Sequence, residues 1–311
     1  PNKAGKASSH GSPLGEEEIE LVRKKLKWKY EPFQIPKEIL NEWRKIGEKG
    51  AKEEKNWNNI YIKKSSKIKT ELDRAINGNL PENFSKIIET QKNKFFNLKP
   101  VVASRQSSAD VLEEITKNLP ELIGGSADLS GSNNTKTKHS TILKPSSFGG
   151  NYIHYGVREH GMAGIMNGMA LHGGIIPYGG TFLIFLDYCK PSLRLSALMG
   201  LKVIYIFSHD SIGLGEDGPT HQPIEHLTHL RAIPNLNVFR PADTIETLEC
   251  WEIALKSSTN PSVIALSRQK IPFITETLSK KNMGNIFGIS KCPPSSLFSI
   301  KKDKIINIEY K

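Results

Sequence analysis

The 311-residue chain is poor in cysteine, has no long apolar run and shows no internal repeat. Its three cysteines, Cys189, Cys250 and Cys292, are scattered, which leaves neither a disulfide framework nor Cys-rich zinc spacing. Free thiols in a reducing, cytoplasmic setting are the expectation. No stretch of eighteen apolar residues occurs, so neither a spanning helix nor a membrane partner is expected. The opening PNKAGKASSHGSPLG is neither a signal peptide nor an Arg-rich transit peptide, and its lack of an initiator Met points to a processed or partial chain. Metal signatures are missing too. There is no HExxH pattern, and the spacing of His221, His226 and His229, with Glu225, puts them on different faces of a helix. No metal ligand is assigned.

Lysine, by contrast, is abundant. Lys and Arg number 43 against 32 Asp and Glu, a formal net charge of +11. Such a balance is one mark of a nucleic-acid binder. Here most of the excess lies in the first hundred residues, mixed with glutamate as in Glu42–Lys55, and no basic motif is interleaved with aromatics. A solvated surface explains it, and no nucleic-acid partner is expected.

The chain changes character near Leu98. Before it, Glu16–Trp28 has acids first, lysines last and Ile19, Val22 and Leu26 on one side, the pattern of an amphipathic helix. Pro32 and Pro36 interrupt, then Lys37–Lys49, Lys52–Lys64 and Pro81–Lys94 are expected as polar helices. After Leu98, helices at Ser104–Asn118, Glu159 onward, Phe182–Met199 and Thr244–Lys256 alternate with strands. The strands are Leu122–Ala127, Tyr152–Tyr155, Ile175–Tyr178, Lys202–Ser208, Asn237–Arg240 and Ser262–Ser267. Alternation of this kind predicts an α/β fold, a parallel sheet flanked by helices. Functional groups gather at the carboxyl ends of such strands. Asp128, Arg158, Glu159, His209 and Arg268 fall there.

Three segments carry chemistry. GVREHGMAGIMNGMALHGG, residues 156–174, puts Glu159 at the start of a helix whose Met162, Ile165, Met166, Met169 and Ala170 make an apolar face. A carboxylate there either favours the helix dipole or is buried for a purpose. Phe182, Phe185 and Tyr188 recur at i, i+3 and i+6, as ordinary core does or an aromatic wall. Gly213–Gly218 matches G-x-G-x-x-G after a strand. A dinucleotide turn leads straight into a helix with free amides, whereas here Glu216 and Asp217 sit inside the loop and Pro219 and Pro223 delay the helix. The two acids would repel a pyrophosphate.

With HDSIGLGEDGPTHQP at 209–223, GVREHG resembles the pyrimidine-binding domain of transketolases, thiamine-diphosphate enzymes; the resemblance runs from Pro1 to about Ser290. It implies that Glu159 hydrogen-bonds N1′ of the cofactor's aminopyrimidine and so promotes loss of the thiazolium C2 proton. Phe182, Phe185 and Tyr188 become the wall around that ring, with Phe185 stacked on it. Arg105, Ser132, His209 and Arg268 become holders of a sugar phosphate, and Asp217 accepts from a sugar hydroxyl. His221 lies near the reacting carbons, and Asp128 near the thiazolium and a subunit contact. His10, in SSHGSPLG, matches a histidine near both the diphosphate and the reacting carbons. The resemblance therefore implies Glu159, His221 and His10 as catalytic groups. His10, Asp128, Glu159 and the aromatics bind cofactor. His10, Arg105, Ser132, His209, Asp217, His221 and Arg268 bind substrate.

The activity so implied moves a two-carbon ketol unit from a ketose phosphate such as xylulose 5-phosphate to an aldose phosphate such as ribose 5-phosphate. It uses thiamine diphosphate and Mg²⁺ in a homodimer, in pentose phosphate or carbon-fixation metabolism. The organisation implied is the end of a diphosphate-binding domain at 1–28, a helical connector at 29–97, the pyrimidine domain at 98–290 and a divergent tail at 291–311, with the family's C-terminal domain absent. The G-D-G…N motif that anchors the diphosphate through Mg²⁺ does not occur in these residues. The chain by itself is accordingly expected to be inactive. Two alternatives remain: a related thiamine enzyme such as deoxyxylulose-phosphate synthase, and a non-catalytic remnant or subunit.

Overall fold

A computed structural model describes residues 1–276 and the backbone of 290–291. Cys292 and the tail at 291–311 therefore lie outside the described side chains. The chain divides into two compact units, Pro1–Lys69 and Thr70–Lys311.

In the first unit a single 3₁₀ turn, Ala7–Ser9, precedes α1 (Glu16–Leu26) and α2 (Lys37–Ile62). Glu16, Glu17 and Glu18 open α1, and Arg23, Lys24 and Lys25 close it, charges that complement the helix dipole. Glu18 is buried, and its Oε1 accepts from the Lys3 amide at 2.8 Å. The two polar helices expected over 37–64 are one helix of 26 residues. Gly47 and Gly50 lie inside it, but the Glu, Lys and Ala around them are strong helix formers and carry the helix through.

The second unit begins within α3 (Ser66–Ile76), a helix not anticipated. Then follow α4 (Phe84–Leu98), α5 (Ser104–Asn118), β1 (Leu122–Ser126), α6 (Ser130–Asn133), β2 (Tyr152–His154), α7 (Glu159–His172) and β3 (Ile176–Phe182). After them come α8 (Leu186–Leu198), β4 (Ile204–Ser208), α9 (His226–Arg231), β5 (Asn237–Phe239), α10 (Thr244–Lys256), β6 (Ser262–Leu266) and the two-residue β7 (Ser290–Lys291). The sheet order is β2-β1-β3-β4-β6-β5-β7. The first six strands are parallel, and β7 adds an antiparallel edge.

Helices cover both faces of this sheet, as the apolar strands require. Ile204 and Ile206 of β4 join one core cluster with Ile115 of α5 and Trp251 of α10. Tyr205 and Phe207 point the other way, to a second cluster with Met162 and Met166 of α7 and Leu193 of α8. Two details set the site. β3 does not end at Tyr178, because Gly179 and Gly180 continue it to Phe182. Gly179 lies under α7, where an added Cβ would meet Met166 Sδ at 2.6 Å and Met162 Sδ at 2.9 Å. Its bare backbone thus lets α7 approach β3 closely. The second detail corrects the expected helix Phe182–Met199. Phe182 ends the strand, Leu183–Phe185 form a 3₁₀ turn, and α8 starts only at Leu186.

Register then aligns the strand ends. Phe182 pairs with Ser208 and Ser208 with Leu266. The residues just beyond, His209 and Arg268, leave the sheet from the same edge. Cys189 and Cys250 are buried free thiols. No helix of the described residues is long and apolar enough to cross a membrane.

Candidate active site

The site grows from the carboxyl edge of the sheet. Glu159 is the first residue of α7 and only 7% exposed. Its Oε1 accepts from Thr181 Oγ1 at 3.5 Å, the outer reach of a hydrogen bond. Thr181 is fully buried on β3. Burial pushes the Cys189 thiol on α8 up to about 12, and the charge of Glu159 adds to the effect. The carboxylate is therefore buried with Thr181 as its hydrogen-bond partner and Cys189 near by, a setting in which one strong external donor would be favoured.

Phe182 follows Thr181 directly, so the aromatic series starts at the same strand end. Phe182 and Phe185 are stacked, centroids 5.7 Å apart and planes 6° apart. Tyr188 continues the series, 5.9 Å from Phe185. His221, in the 3₁₀ turn Pro219–His221, stands edge-on to both phenylalanines at 5.8 and 5.5 Å. The three aromatics come from a strand end, a 3₁₀ turn and a helix start, yet they make one surface.

On the far side of Phe182 lies His209, stacked on it with centroids 3.7 Å apart. His209 has φ +59°, a left-handed conformation that turns the chain as it leaves β4. A relay fixes its ring. Asn133 Nδ2 donates to the Thr181 carbonyl at 3.0 Å and to Ser208 Oγ at 2.7 Å. The Ser208 hydroxyl thus keeps its own proton for His209 Nδ1, 2.9 Å away. That leaves the N–H on Nε2, which faces Asp217 Oδ2 at 3.9 Å. Burial holds the His209 pKa down to about 4; Arg105 presses the same way, Asp217 opposes, and Arg268 and His221 add to the depression. At neutral pH His209 is an uncharged donor.

Arg105, at the start of α5, and Arg268, just past β6, supply the positive charge. Arg105 Nη1 donates to the Ser132 carbonyl at 2.8 Å. Its pKa is lowered by burial and then by the Arg268 charge, with Asp217 opposing. Arg268 Nη2 donates to Glu216 Oε1 at 2.8 Å, and its Nε lies 3.9 Å from Asp217 Oδ2. Two guanidiniums, an N–H and the neighbouring Ser132 make a cluster suited to a phosphate dianion. Asp128 is exposed after β1 with φ +63°.

Of the residues singled out in the sequence, Glu159, Phe182, Phe185, Tyr188, Arg105, Ser132, His209, Asp217, His221 and Arg268 lie along this one edge. His10 is exposed in the first unit. Sequence reasoning missed three participants. Thr181, Asn133 and Ser208 carry no motif, and only their buried partners reveal them. It also missed Asp187, which with Glu225 and His226 brings carboxylate and imidazole atoms within 4.8 Å of one another. The buried His226 has Nε2 3.3 Å from Asp187 Oδ1 and Nδ1 4.0 Å from Glu225 Oε2. His221 and His229 are not part of that group.

The profile of the transketolase pyrimidine-binding domain matches residues 101–273, and that of the transketolase thiamine diphosphate-binding domain matches residues 1–81. The chain belongs to the transketolase family. A transketolase of Sinorhizobium medicae is 51% identical over 280 residues, 89% of this chain and 40% of that protein. One from Buchnera aphidicola of Acyrthosiphon pisum is 49% identical over 274 residues, 87% and 41% of the two chains. Among solved structures, Pichia stipitis transketolase in complex with sedoheptulose 7-phosphate superposes with TM-score 0.75 at 40% identity, covering 87% of this chain and 41% of that one. Leishmania mexicana transketolase gives 0.76 at 37% identity, over 87% and 40%. The chain spans about 40% of the length of these transketolases.

Proposed function

We propose that the chain supplies the aminopyrimidine half and the phosphate-reading part of a transketolase site. The reaction transfers a two-carbon ketol unit from a ketose phosphate to an aldose phosphate, as from xylulose 5-phosphate to ribose 5-phosphate. Thiamine diphosphate, when bound, supplies a nucleophilic carbon and an electron sink for that unit. The residues fit it: a buried carboxylate has one long hydrogen bond, to Thr181, and an aromatic surface starts at the next residue.

Glu159 takes N1′ of the aminopyrimidine as its strong partner. Phe185, with Phe182 and Tyr188, packs the ring and excludes water, which strengthens that hydrogen bond. Asp128 borders the thiazolium and a subunit contact. Arg105, Ser132, His209 and Arg268 hold the sugar phosphate, and Asp217 accepts from a sugar hydroxyl. His221 and His10 exchange protons at the reacting carbons, and His10 also approaches the diphosphate. Mg²⁺ accompanies the diphosphate. No residue of this chain is assigned to it, and the chain by itself is assigned no ketol transfer.

The proposal extends to a cytoplasmic homodimer in pentose phosphate or carbon-fixation metabolism. Its domains are the end of a diphosphate-binding domain at 1–28, a connector at 29–97, the pyrimidine domain at 98–290 and a divergent tail at 291–311.

One observation carries the reading. Thr181 touches Glu159, and the next residue, Phe182, opens the aromatic stack. The hydrogen-bond partner of the carboxylate and the first ring of the surface are thus consecutive residues at one strand end. The test is product analysis with an enzyme that contains these residues, thiamine diphosphate and Mg²⁺. Two five-carbon substrates should give a seven-carbon and a three-carbon phosphate. Their absence, with cofactor bound, would refute the assignment.

A further inference from the structure

The Gly213–Gly218 loop carries two acids into a cluster that otherwise suits an anion. Gly215 has φ +99°, and a Cβ there would meet Arg268 Nη1 at 2.8 Å. The glycine thus lets the guanidinium lie directly on the loop backbone. The next residue, Glu216, accepts from Arg268 Nη2 at 2.8 Å while its side chain stays 80% exposed. Asp217 sits deeper, its Oδ2 3.9 Å from both Arg268 Nε and His209 Nε2. With His209 uncharged at neutral pH, the formal charges of Arg105 and Arg268 are balanced by those of Glu216 and Asp217.

From this geometry we infer that Glu216 sets the phosphate affinity of this cluster, as a tethered carboxylate that competes with an incoming phosphate for the Arg268 guanidinium. The inference rests on the phosphate-reading role proposed for Arg268. A phosphate dianion brings two charges and three acceptor oxygens, so it outcompetes one mobile carboxylate. Glu216 swings outward easily, because an exposed ion pair is weak. Asp217 remains in place for the sugar.

Inorganic phosphate is the probe. Its affinity for the chain is read from the arginine Nε–H signals in a ¹⁵N NMR titration at neutral pH, for the wild type, Glu216→Gln and Arg268→Ala. Glu216→Gln should tighten phosphate binding roughly two- to fivefold, the scale of an exposed pair, with an unchanged melting temperature. Arg268→Ala should weaken it tenfold or more. Unchanged or weaker binding in Glu216→Gln, with Arg268→Ala impaired, overturns the competition and leaves the phosphate role of Arg268 standing. Binding unaffected by Arg268→Ala removes that role, and the competition with it.

Discussion

The Phe182 ring lies on the His209 imidazole, centroids 3.7 Å apart and planes inclined by 27°. This contact joins the two halves of the site. On one side Phe182 begins the aromatic surface, next in sequence to the Thr181 that meets Glu159. On the other, His209 reaches Arg268 through Asp217. The stack exists because β3 and β4 are paired in register, Phe182 against Ser208. Phe182 is the last residue of β3 and His209 the first beyond β4, so both rings leave the sheet together.

Burial of His209 makes stability depend on pH. Its folded pKa of about 4 lies below the ordinary histidine value of 6.5. Between those limits the unfolded chain binds a proton that the folded chain does not, so stability is lost as pH falls from about 6.5 to 4. The loss is complete below 4 and amounts to about 3 kcal/mol at most. His209→Gln should flatten the fall in urea-derived stability over this window. Identical profiles for the two proteins would place the titration elsewhere.

Arg268 should discriminate substrates. In an enzyme that contains this chain, Arg268→Ala is expected to raise KM for phosphorylated acceptors about 10- to 100-fold, the loss of a charged hydrogen bond. Unphosphorylated acceptors should be nearly unaffected. An equal loss for both classes contradicts the phosphate role.

Much of this was legible in the sequence where one physical signal dominated. Thr244–Lys256 is bounded as expected, because Asp243 caps it by accepting from the Glu246 amide at 3.0 Å. The β4 run was legible because it is apolar on both faces. Phe182–Met199 was misread as one helix, since i, i+3, i+6 spacing also fits a strand end followed by a 3₁₀ turn. Gly179–Gly180 hid the end of β3, because glycines in a strand look like a turn until the helix packed on them is known. Among site residues, Glu159, His209 and Arg268 were found by motif and by their place after strands. The Asn133–Ser208–His209 relay and the Glu216–Arg268 pair join residues up to 75 positions apart, which no local spacing encodes.

Gly179 tests the packing that places Glu159. Gly179→Ala inserts a methyl group between β3 and the two methionine sulfurs of α7, and overpacking of this kind costs about 1–3 kcal/mol. Urea denaturation should show that loss. Cofactor affinity of an enzyme carrying the substitution should fall too, because Met162 lies one helical turn from Glu159. Full stability would mean that α7 can move away from the sheet freely.

The central claim is that Glu159 activates the cofactor. The direct measurement is hydrogen–deuterium exchange of the C2 proton of bound thiamine diphosphate, at saturating cofactor and Mg²⁺, in an enzyme that contains this chain. Glu159→Gln keeps the size of the side chain but removes its charge and basicity. Exchange is expected to slow by about 10²- to 10⁴-fold, the usual contribution of a positioned acid or base. Exchange as fast as in the wild type would contradict the claim.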